Sequence, residues 1–356
     1  MTTTATSTAT GTATSTTSAT PSCVSVKPGK NGYLPPDACG NLLPYVPSLA
    51  AAVIFCLLFG AALIVHTVQA VVLRKRFCWV IMMGALWELL GYVFRALLTR
   101  HQNVVGYSVG NQLLVLLAPL WINAFIYMIV GRLLHFFFSP GTKTARTARL
   151  AGVSARRFGL LFVLLDIVAF IVQASGAVML SGNDVSQHTI ELGIHIYMGG
   201  IGLQQFFILC FVALTVTLHR KIRRAAAAAA AWRRYENNAG QEAFEDEVGM
   251  YLALVMISIR IIFRLIEYSR GTDASNPIPT HEAYQYVLDA LPMFLSLVVM
   301  SIFHPGRVLK GPDSEFPKLS RREKRKIKAA KKAAKKAEKK RRDWDKLEDK
   351  EYSTSK

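Results

Sequence analysis

Residues 77–98 read FCWVIMMGALWELLGYVFRALL, and only Glu88 and Arg95 among them are charged. A helix of about 20 mostly apolar residues is long enough to cross the ~30 Å hydrocarbon core of a bilayer. Gly84, Glu88, Gly91 and Arg95 follow one another at spacings of four, three and four residues, so they share one helical face. The stretch therefore predicts a transmembrane helix whose polar face, with two small residues, meets other helices.

Six further apolar blocks are long enough for the same role, and each is separated from the next by a polar segment. A spanning segment must satisfy its backbone hydrogen bonds within the lipid, which leaves α-helices and closed β-barrels, and these blocks lack the alternating pattern of barrel strands. The sequence therefore predicts an all-α fold, a bundle of seven transmembrane helices. The seven blocks are 45–73, 77–98, 109–138, 158–180, 193–218, 249–267 and 284–303.

Basic residues predict the orientation of the bundle. Arg74, Lys75 and Arg76 directly follow the first block, and Lys and Arg accumulate on the cytoplasmic side of membrane proteins. Counted over all loops except the C-terminal tail, fourteen basic residues fall on this side and four on the other. The first twenty residues, rich in Thr, Ser and Ala, resemble no cleavable signal peptide. We therefore expect an N-terminus outside the cell and a cytosolic C-terminus.

Three regions follow from this pattern. We expect an extracellular Thr/Ser-rich segment at 1–44, a membrane domain at 45–305 and a basic cytosolic tail at 306–356. The tail carries twenty Lys and Arg against nine Asp and Glu, and Ser320 with Glu323 forms a capping box that predicts a partly helical structure.

A basic tail next to a membrane suits the anionic lipids of the inner leaflet as partners. Retention of the tail in the cytosol is the alternative role, and self-association through it is left open. Nucleic acid is not expected as a partner, because the membrane offers a nearer anionic surface.

Five cysteines occur, of which Cys23 and Cys39 fall in the predicted extracellular segment. Disulfides persist in oxidising compartments. Cys23 and Cys39 are therefore candidates for a disulfide, and two free thiols are the alternative.

Polar residues recur on one face of each block. A charge at the bilayer centre costs ~2.5–3.5 kcal/mol on insertion scales, so such residues are expected to face the bundle interior, here around a polar cavity that opens outward. Its acids outnumber its arginines by one, which suits a cationic headgroup or a shared proton; buried ion pairs that only fix helix register are the alternative. The predicted substrate-binding residues are Glu88, Arg95, Asn123, Asp166, Gln173, Gln205, Arg260, Arg264, Glu267, Tyr286 and Asp289.

Several catalytic motifs are absent from the sequence. It contains no GxxxxGK[ST] loop for nucleotide phosphates and no HExxH pair for zinc, and its histidines divide between the two predicted faces of the membrane. We therefore predict no catalytic residues, no metal and no cofactor. An intramembrane metal hydrolase with a His/Asp site remains a third hypothesis.

A set of motifs resembles a known family. The order and placement of the motifs are similar to those of the fungal lipid-translocating exporters named for resistance to aminocholesterol, called RTA-like, over residues 45–305. The motifs are ELLGYVFR from Glu88, APLWINAFIY from Ala118, DIVAFIVQASG from Asp166, GGIGLQQ from Gly199, RIIFRLIEYSRG from Arg260, EAYQYVLDALPM from Glu282, and the pair His304 and Pro305.

The resemblance implies a non-enzymatic, multi-pass transporter of amphipathic lipids such as sphingoid bases. It also implies a place in the fungal plasma membrane, with an endomembrane as the alternative, and a role in resistance to toxic amphiphiles. A porphyrin or haem transporter is an alternative within the family. A seven-helix receptor or lipid sensor is a second alternative, although the third block ends GRLLH rather than in a DRY-type sequence and the seventh lacks NPxxY.

Overall fold

The computed structural model describes residues 24–29, 32–35, 38–43, 45–138, 149–150, 153–180, 186–227, 239–269 and 277–306, together with six helical residues between 322 and 338. Cys23 and the predicted capping box of Ser320 and Glu323 lie outside these residues. The three-region division of the chain, the orientation of its ends and self-association through the tail stay predictions.

Seven helical spans confirm the predicted all-α membrane bundle. Two short two-residue strands pair in the segment before the fourth span, Arg149–Leu150 (β1) with Val153–Ser154 (β2). A 3-10 turn, Arg76–Cys78, precedes the second span, and a helical turn, Pro277–Thr280 (α7), precedes the seventh. The helices of the spans are Leu49–Val72 (α1), Trp79–Arg100 (α2), Val105–Phe138 (α3), Ala155–Leu180 (α4), Gln187–Ala227 (α5), Ala239–Ser269 (α6), and Glu282–Gln285 (α8) with Leu291–Ile302 (α9).

The spans differ from the predicted blocks mainly at their ends. Helices α5 and α6 extend well beyond 193–218 and 249–267, because polar residues next to an apolar block can continue a helix into the aqueous phase. The first helix starts later than expected, at Leu49, because the Ser48 side chain caps it by accepting a bond from the Ala51 N–H.

Each span packs against the next along the chain, and the seventh packs against the first, so the seven spans form a closed ring. Span 3 is the central one, because 61% of its 18-residue apolar stretch is buried inside the bundle. Span 1 is peripheral, because only 17% of the corresponding stretch is buried. The ring closes where His66 and Gln69 on α1 bond to Leu297 and Ser301 on α9. These polar contacts orient the helices where hydrophobic burial cannot, since lipid is as apolar as the helix surfaces.

Close helix approach depends on glycine between α4 and α5. A Cβ on Gly176 would lie 2.6 Å from the backbone nitrogen of Tyr197 and 2.7 Å from the carbonyl oxygen of Gly193. A Cβ on Gly200 would lie 2.7 Å from the backbone nitrogen of Gln173. The two backbones therefore come together as in other small-residue contacts of membrane helices.

The segment before α1 folds over the predicted outer end of the ring. Leu34 and Leu43 are buried, and the Leu34 N–H donates to the Gln102 side chain at 3.1 Å. Cys39 is disulfide-bonded, whereas Cys56, Cys78 and Cys210 are free. The Cys39 N–H donates to the Val24 carbonyl at 3.0 Å, next to the predicted partner Cys23. The pairing itself stays a prediction, because Cys23 is outside the described residues.

Candidate functional site

The centre of the polar interior is Asp289 on span 7, which is fully buried. Arg260 donates from Nε to its Oδ1 at 2.5 Å, and Arg264 donates from Nη2 to its Oδ2 at 2.5 Å. Arg264 also donates from Nη1 to Glu267 at 3.1 Å. Two guanidinium groups and two carboxylates thus neutralise one another, as a buried charge requires.

A proline in span 3 provides a further partner for Arg260. Pro119 has no N–H, so the carbonyl of Val115, four residues earlier, cannot be bonded within the helix. Arg260 donates to this carbonyl oxygen from Nη2 at 2.9 Å. The guanidinium therefore bridges spans 3 and 7 from its own position on span 6.

A π-helical turn, Tyr286–Ala290, positions Asp289. The Leu291 N–H bonds to the Tyr286 carbonyl, five residues back, and the next residue, Pro292, has no N–H to restore the α-helical pattern. Such turns rotate the following residues relative to a regular helix and are frequent at functional sites. The predicted seventh span over 284–303 is confirmed, but the π-helical turn interrupts the 3.6-residue periodicity that the prediction assumed.

A second layer of polar contacts lies above the first, toward the predicted outside. Arg95 on span 2 donates to Glu282 at 3.0 Å, and the Tyr286 hydroxyl donates to the same carboxyl oxygen at 3.3 Å. The other Glu282 oxygen accepts the Ser48 N–H at 2.7 Å. Arg95 also donates to the Tyr45 hydroxyl. The chain entering span 1 is thereby tied to spans 2 and 7.

Tyr45 precedes the first span and covers Arg95, whose guanidinium lies 5.5 Å from the centre of the tyrosine ring. Burial raises the pKa of the Tyr45 phenol above its ordinary value of 10.0, while the charge of Arg95 acts in the opposite direction. A neutral phenol can accept a bond from Arg95 and donate one to Gln285, which it does at 3.3 Å. The expected outward opening is therefore closed at this point.

Two other buried carboxyl groups are not paired with an arginine in any described contact. Both oxygens of Glu88 on span 2 are buried and have no hydrogen-bond partner. Asp166 on span 4 accepts bonds at Oδ2 from Asn123 at 3.2 Å and from Tyr127 at 2.9 Å, but its Oδ1 and the Oδ1 of Asn123 have no partner. Buried acceptors without a donor cost about 1–3 kcal/mol each, so these groups suit a ligand that donates hydrogen bonds.

The glutamines line the other side of the interior. Gln173 bonds to the Gly200 carbonyl and to the Gln204 side chain, at 3.1 and 2.8 Å, and Gln205 donates to Ser258 at 3.3 Å. Gln173, Gln204, Arg260 and Arg264 line a narrow cleft with a volume of about 10 Å³. This cleft occupies the region where a wider, outward-open cavity was expected.

The structure thus brings together the predicted residues Arg260, Arg264, Glu267 and Asp289 in one cluster, and Asn123 with Asp166 in another. It places Arg95 and Tyr286 in the outer layer around Glu282, a residue that the predicted site omitted although its spacing from Tyr286 and Asp289 on span 7 indicated it. Tyr45 was also missed, because a residue that precedes a helix carries no helical periodicity. Within the described residues, no group of three or more His, Cys, Asp or Glu side chains could hold a metal ion.

Comparison with known proteins adds independent information. Residues 81–312 match the family model described as RTA1 like protein. The chain is 43% identical over 316 residues to the "Probable lipid transporter atnI" of Emericella nidulans, covering 85% of this chain and 78% of that protein.

More distant relatives come from Saccharomyces cerevisiae. The "Protoporphyrin uptake protein 1" is 26% identical and covers 73% of this chain and 91% of its own length. The "Sphingoid long-chain base transporter RSB1" is 23% identical and covers 76% of this chain and 75% of its own length. No solved structure matches the chain. From the extent of the family match and the level of identity, the chain belongs to the RTA1 like protein family.

Proposed function

We propose that this protein transports amphipathic lipids that carry an amine, such as sphingoid bases, across a fungal plasma membrane. The observation that carries the proposal is the division of the interior acids into two groups. Glu267, Asp289 and Glu282 already bind arginines, whereas Glu88 and Asp166 retain acceptor oxygens without a donor among the described residues. An ammonium group has three donors and no acceptor, so it complements these oxygens.

The position of these acceptors supports the same cargo. Glu88 belongs to span 2 and Asp166 to span 4, and both spans pack against the central span 3. The arginines Arg95 and Arg260 already bind acids on span 7, and Arg260 also binds the Val115 carbonyl on span 3. A cationic headgroup would thus meet acceptors on either side of span 3 without displacing an existing ion pair.

The names of the relatives support the lipid class. A probable lipid transporter and a sphingoid long-chain base transporter are both similar to this chain over most of its length. The porphyrin relative makes a porphyrin the main alternative cargo. A porphyrin carries carboxylates and would need an arginine, and each of Arg95, Arg260 and Arg264 already binds a carboxylate in this structure.

Topology and location complete the proposal. The basic loops support an N-terminal segment outside and a tail in the cytosol. There the excess of basic residues in the tail would face anionic lipids, at ~1 kcal/mol per residue near the surface. Cargo would be captured in the membrane and released toward the layer formed by Tyr45, Arg95 and Glu282. No step requires catalysis by the protein.

Binding of a fluorescent sphingoid base to the purified protein in detergent tests this proposal. We expect saturable binding to the wild type, and at least about tenfold weaker binding to Glu88→Gln and to Asp166→Asn. A thermal-shift assay checks that both variants are folded. The matched control Glu191→Gln changes an exposed acid on α5 and should bind as the wild type does. Binding of protoporphyrin with no binding of the amine would overturn the amine assignment in favour of the porphyrin alternative.

Transport is tested separately, with proteoliposomes that contain only this protein. Accelerated movement of the labelled base between leaflets, lost in the same two variants, is the expected result. Saturable binding without any movement under a proton or ion gradient would contradict the transporter function and favour a lipid sensor.

A further inference from the structure

A large apolar groove is formed by spans 2, 3 and 4, whereas the ion-pair cluster joins spans 6 and 7. The groove has a volume of about 460 Å³. Its wall contains no acidic side chain, and most of its surface is aliphatic or aromatic. Leu120, Trp121, Ala124, Val163 and Ile167 are among the residues that line it.

The groove runs along the half of the bundle that the basic loops assign to the inner leaflet. On span 3 it extends from Leu120 to Arg132, which are twelve residues apart, or ~18 Å along a helix. Half of a ~30 Å hydrocarbon core is about 15 Å, so this length is that of one leaflet. Leu160, on the wall formed by span 4, is 59% exposed, so the groove faces the surrounding lipid.

The groove contains one positive charge and hydrogen-bond donors. Arg132 lies at its inner end, with its guanidinium 4.0 Å from the centre of the Phe77 ring. The indole Nε1 of Trp121 is buried without a hydrogen-bond partner. Trp79, which is half exposed at the first turn of span 2, packs edge-on against Trp121 with ring centres 5.4 Å apart. Trp79 and Arg132 lie near the inner ends of spans 2 and 3, where such residues are typical of the boundary between hydrocarbon and headgroups.

We propose that this groove is a binding site for an anionic phospholipid of the inner leaflet, with one acyl chain along the span 3 wall and the phosphate beside Arg132. An inner-leaflet lipid has its headgroup at the membrane surface and its chain toward the midplane, which matches the order of Arg132 and Leu120 along span 3. A cationic long-chain amine does not fit, because its headgroup would meet Arg132, and none of the described residues that line the groove carries a carboxylate. The groove adjoins the proposed cargo site, since Tyr127 lines the groove and donates to Asp166, but the lipid site does not depend on the transport function.

Thermal unfolding of the full-length protein in detergent, with phosphatidylglycerol or phosphatidylcholine added at equal mole fraction, tests the headgroup. We expect phosphatidylglycerol to raise the Tm of the wild type by several degrees more than phosphatidylcholine does. The difference should disappear in Arg132→Gln and persist in Arg157→Gln, an exposed basic residue outside the groove. A difference that is lost in Arg157→Gln and kept in Arg132→Gln would overturn the proposal in favour of a general surface-charge effect.

Quenching of tryptophan fluorescence by phospholipids brominated on the acyl chain tests the groove itself. In a background in which Trp79, Trp87, Trp232 and Trp344 are replaced by Phe, so that Trp121 is the remaining tryptophan, brominated phosphatidylglycerol should quench the fluorescence more strongly than brominated phosphatidylcholine. Val163→Phe, which fills the groove from span 4, should remove this excess. Equal quenching by the two lipids in the protein with Val163 intact would overturn the proposed site, whereas the cargo assay reports on the proposed function independently.

Discussion

Arg260 on span 6 donates from Nη2 to the carbonyl oxygen of Val115 on span 3, at 2.9 Å. The bond uses a carbonyl that the span 3 helix cannot satisfy, because Pro119 has no N–H. The same guanidinium holds Asp289 through Nε. Spans 3, 6 and 7 are therefore coupled through one side chain, and this coupling makes the stability of the bundle depend strongly on the ion-pair cluster.

Asp289→Asn should destabilise the protein severely. The substitution removes a carboxylate that contacts two buried guanidinium groups, and breaking a buried pair costs about 3–5 kcal/mol. Glu267→Gln should cost less than about 1 kcal/mol, because Glu267 is partly exposed and contacts Arg264 alone in the described ion pairs. Thermal unfolding monitored by size-exclusion chromatography compares the two variants. Equal losses of stability would contradict the assignment of Asp289 as the central acid.

Glu88→Gln should leave stability within about 1 kcal/mol of the wild type or raise it. Both carboxyl oxygens are buried without a hydrogen-bond donor, so replacing the acid by an amide of similar volume removes no described contact. The measurement is the Tm in detergent, beside the cargo assay described above. A large loss of stability would show that Glu88 is a structural residue and would remove it from the proposed cargo site.

Glu282→Ala should loosen the segment that enters span 1. The Ser48 N–H loses its acceptor, and Arg95 loses its carboxylate while it remains buried. We expect faster hydrogen exchange in residues 45–52 than in the wild type, with little change in span 4. The exposed acid Glu191 provides the control as Glu191→Gln. Unchanged exchange in residues 45–52 would mean that other contacts hold this segment.

Gly176→Ala should destabilise the contact between α4 and α5 by about 1–3 kcal/mol, as overpacking does in other cores. The new Cβ would lie 2.6 Å from a backbone nitrogen that cannot move without shifting helix α5. Gly202→Ala is the matched control on α5, since nothing lies within 4 Å of its added Cβ. The changes in unfolding temperature relative to the wild type should therefore differ in sign or clearly in size between the two variants. Equal changes would argue against close backbone packing at Gly176.

The sequence by itself determined the membrane class, the number of spans and the residues that face the interior. Length and apolarity fix the spans because a bilayer has one thickness, and the cost of a charge in lipid turns each polar face inward. For this reason Glu88, Asp166, Arg260 and Asp289 could all be predicted as interior residues without any coordinates.

Only the tertiary structure decided which interior charges bind each other. Helical periodicity gives the face on which Asp289 lies, but the rotation and depth of span 6 bring Arg260 and Arg264 to it. A π-helical turn and the carbonyl left open by Pro119 then set the geometry of the cluster. The predicted site omitted Glu282, although its spacing on span 7 indicated it, and Tyr45, because a residue that precedes a helix carries no helical periodicity. The prediction treated Glu88, Asp166, Glu267 and Asp289 alike. Within the described residues, packing pairs Glu267 and Asp289 with arginines and leaves Glu88 and Asp166 with buried oxygens that have no donor. Pairing depends on distances between helices, and no property of a single helix encodes these distances.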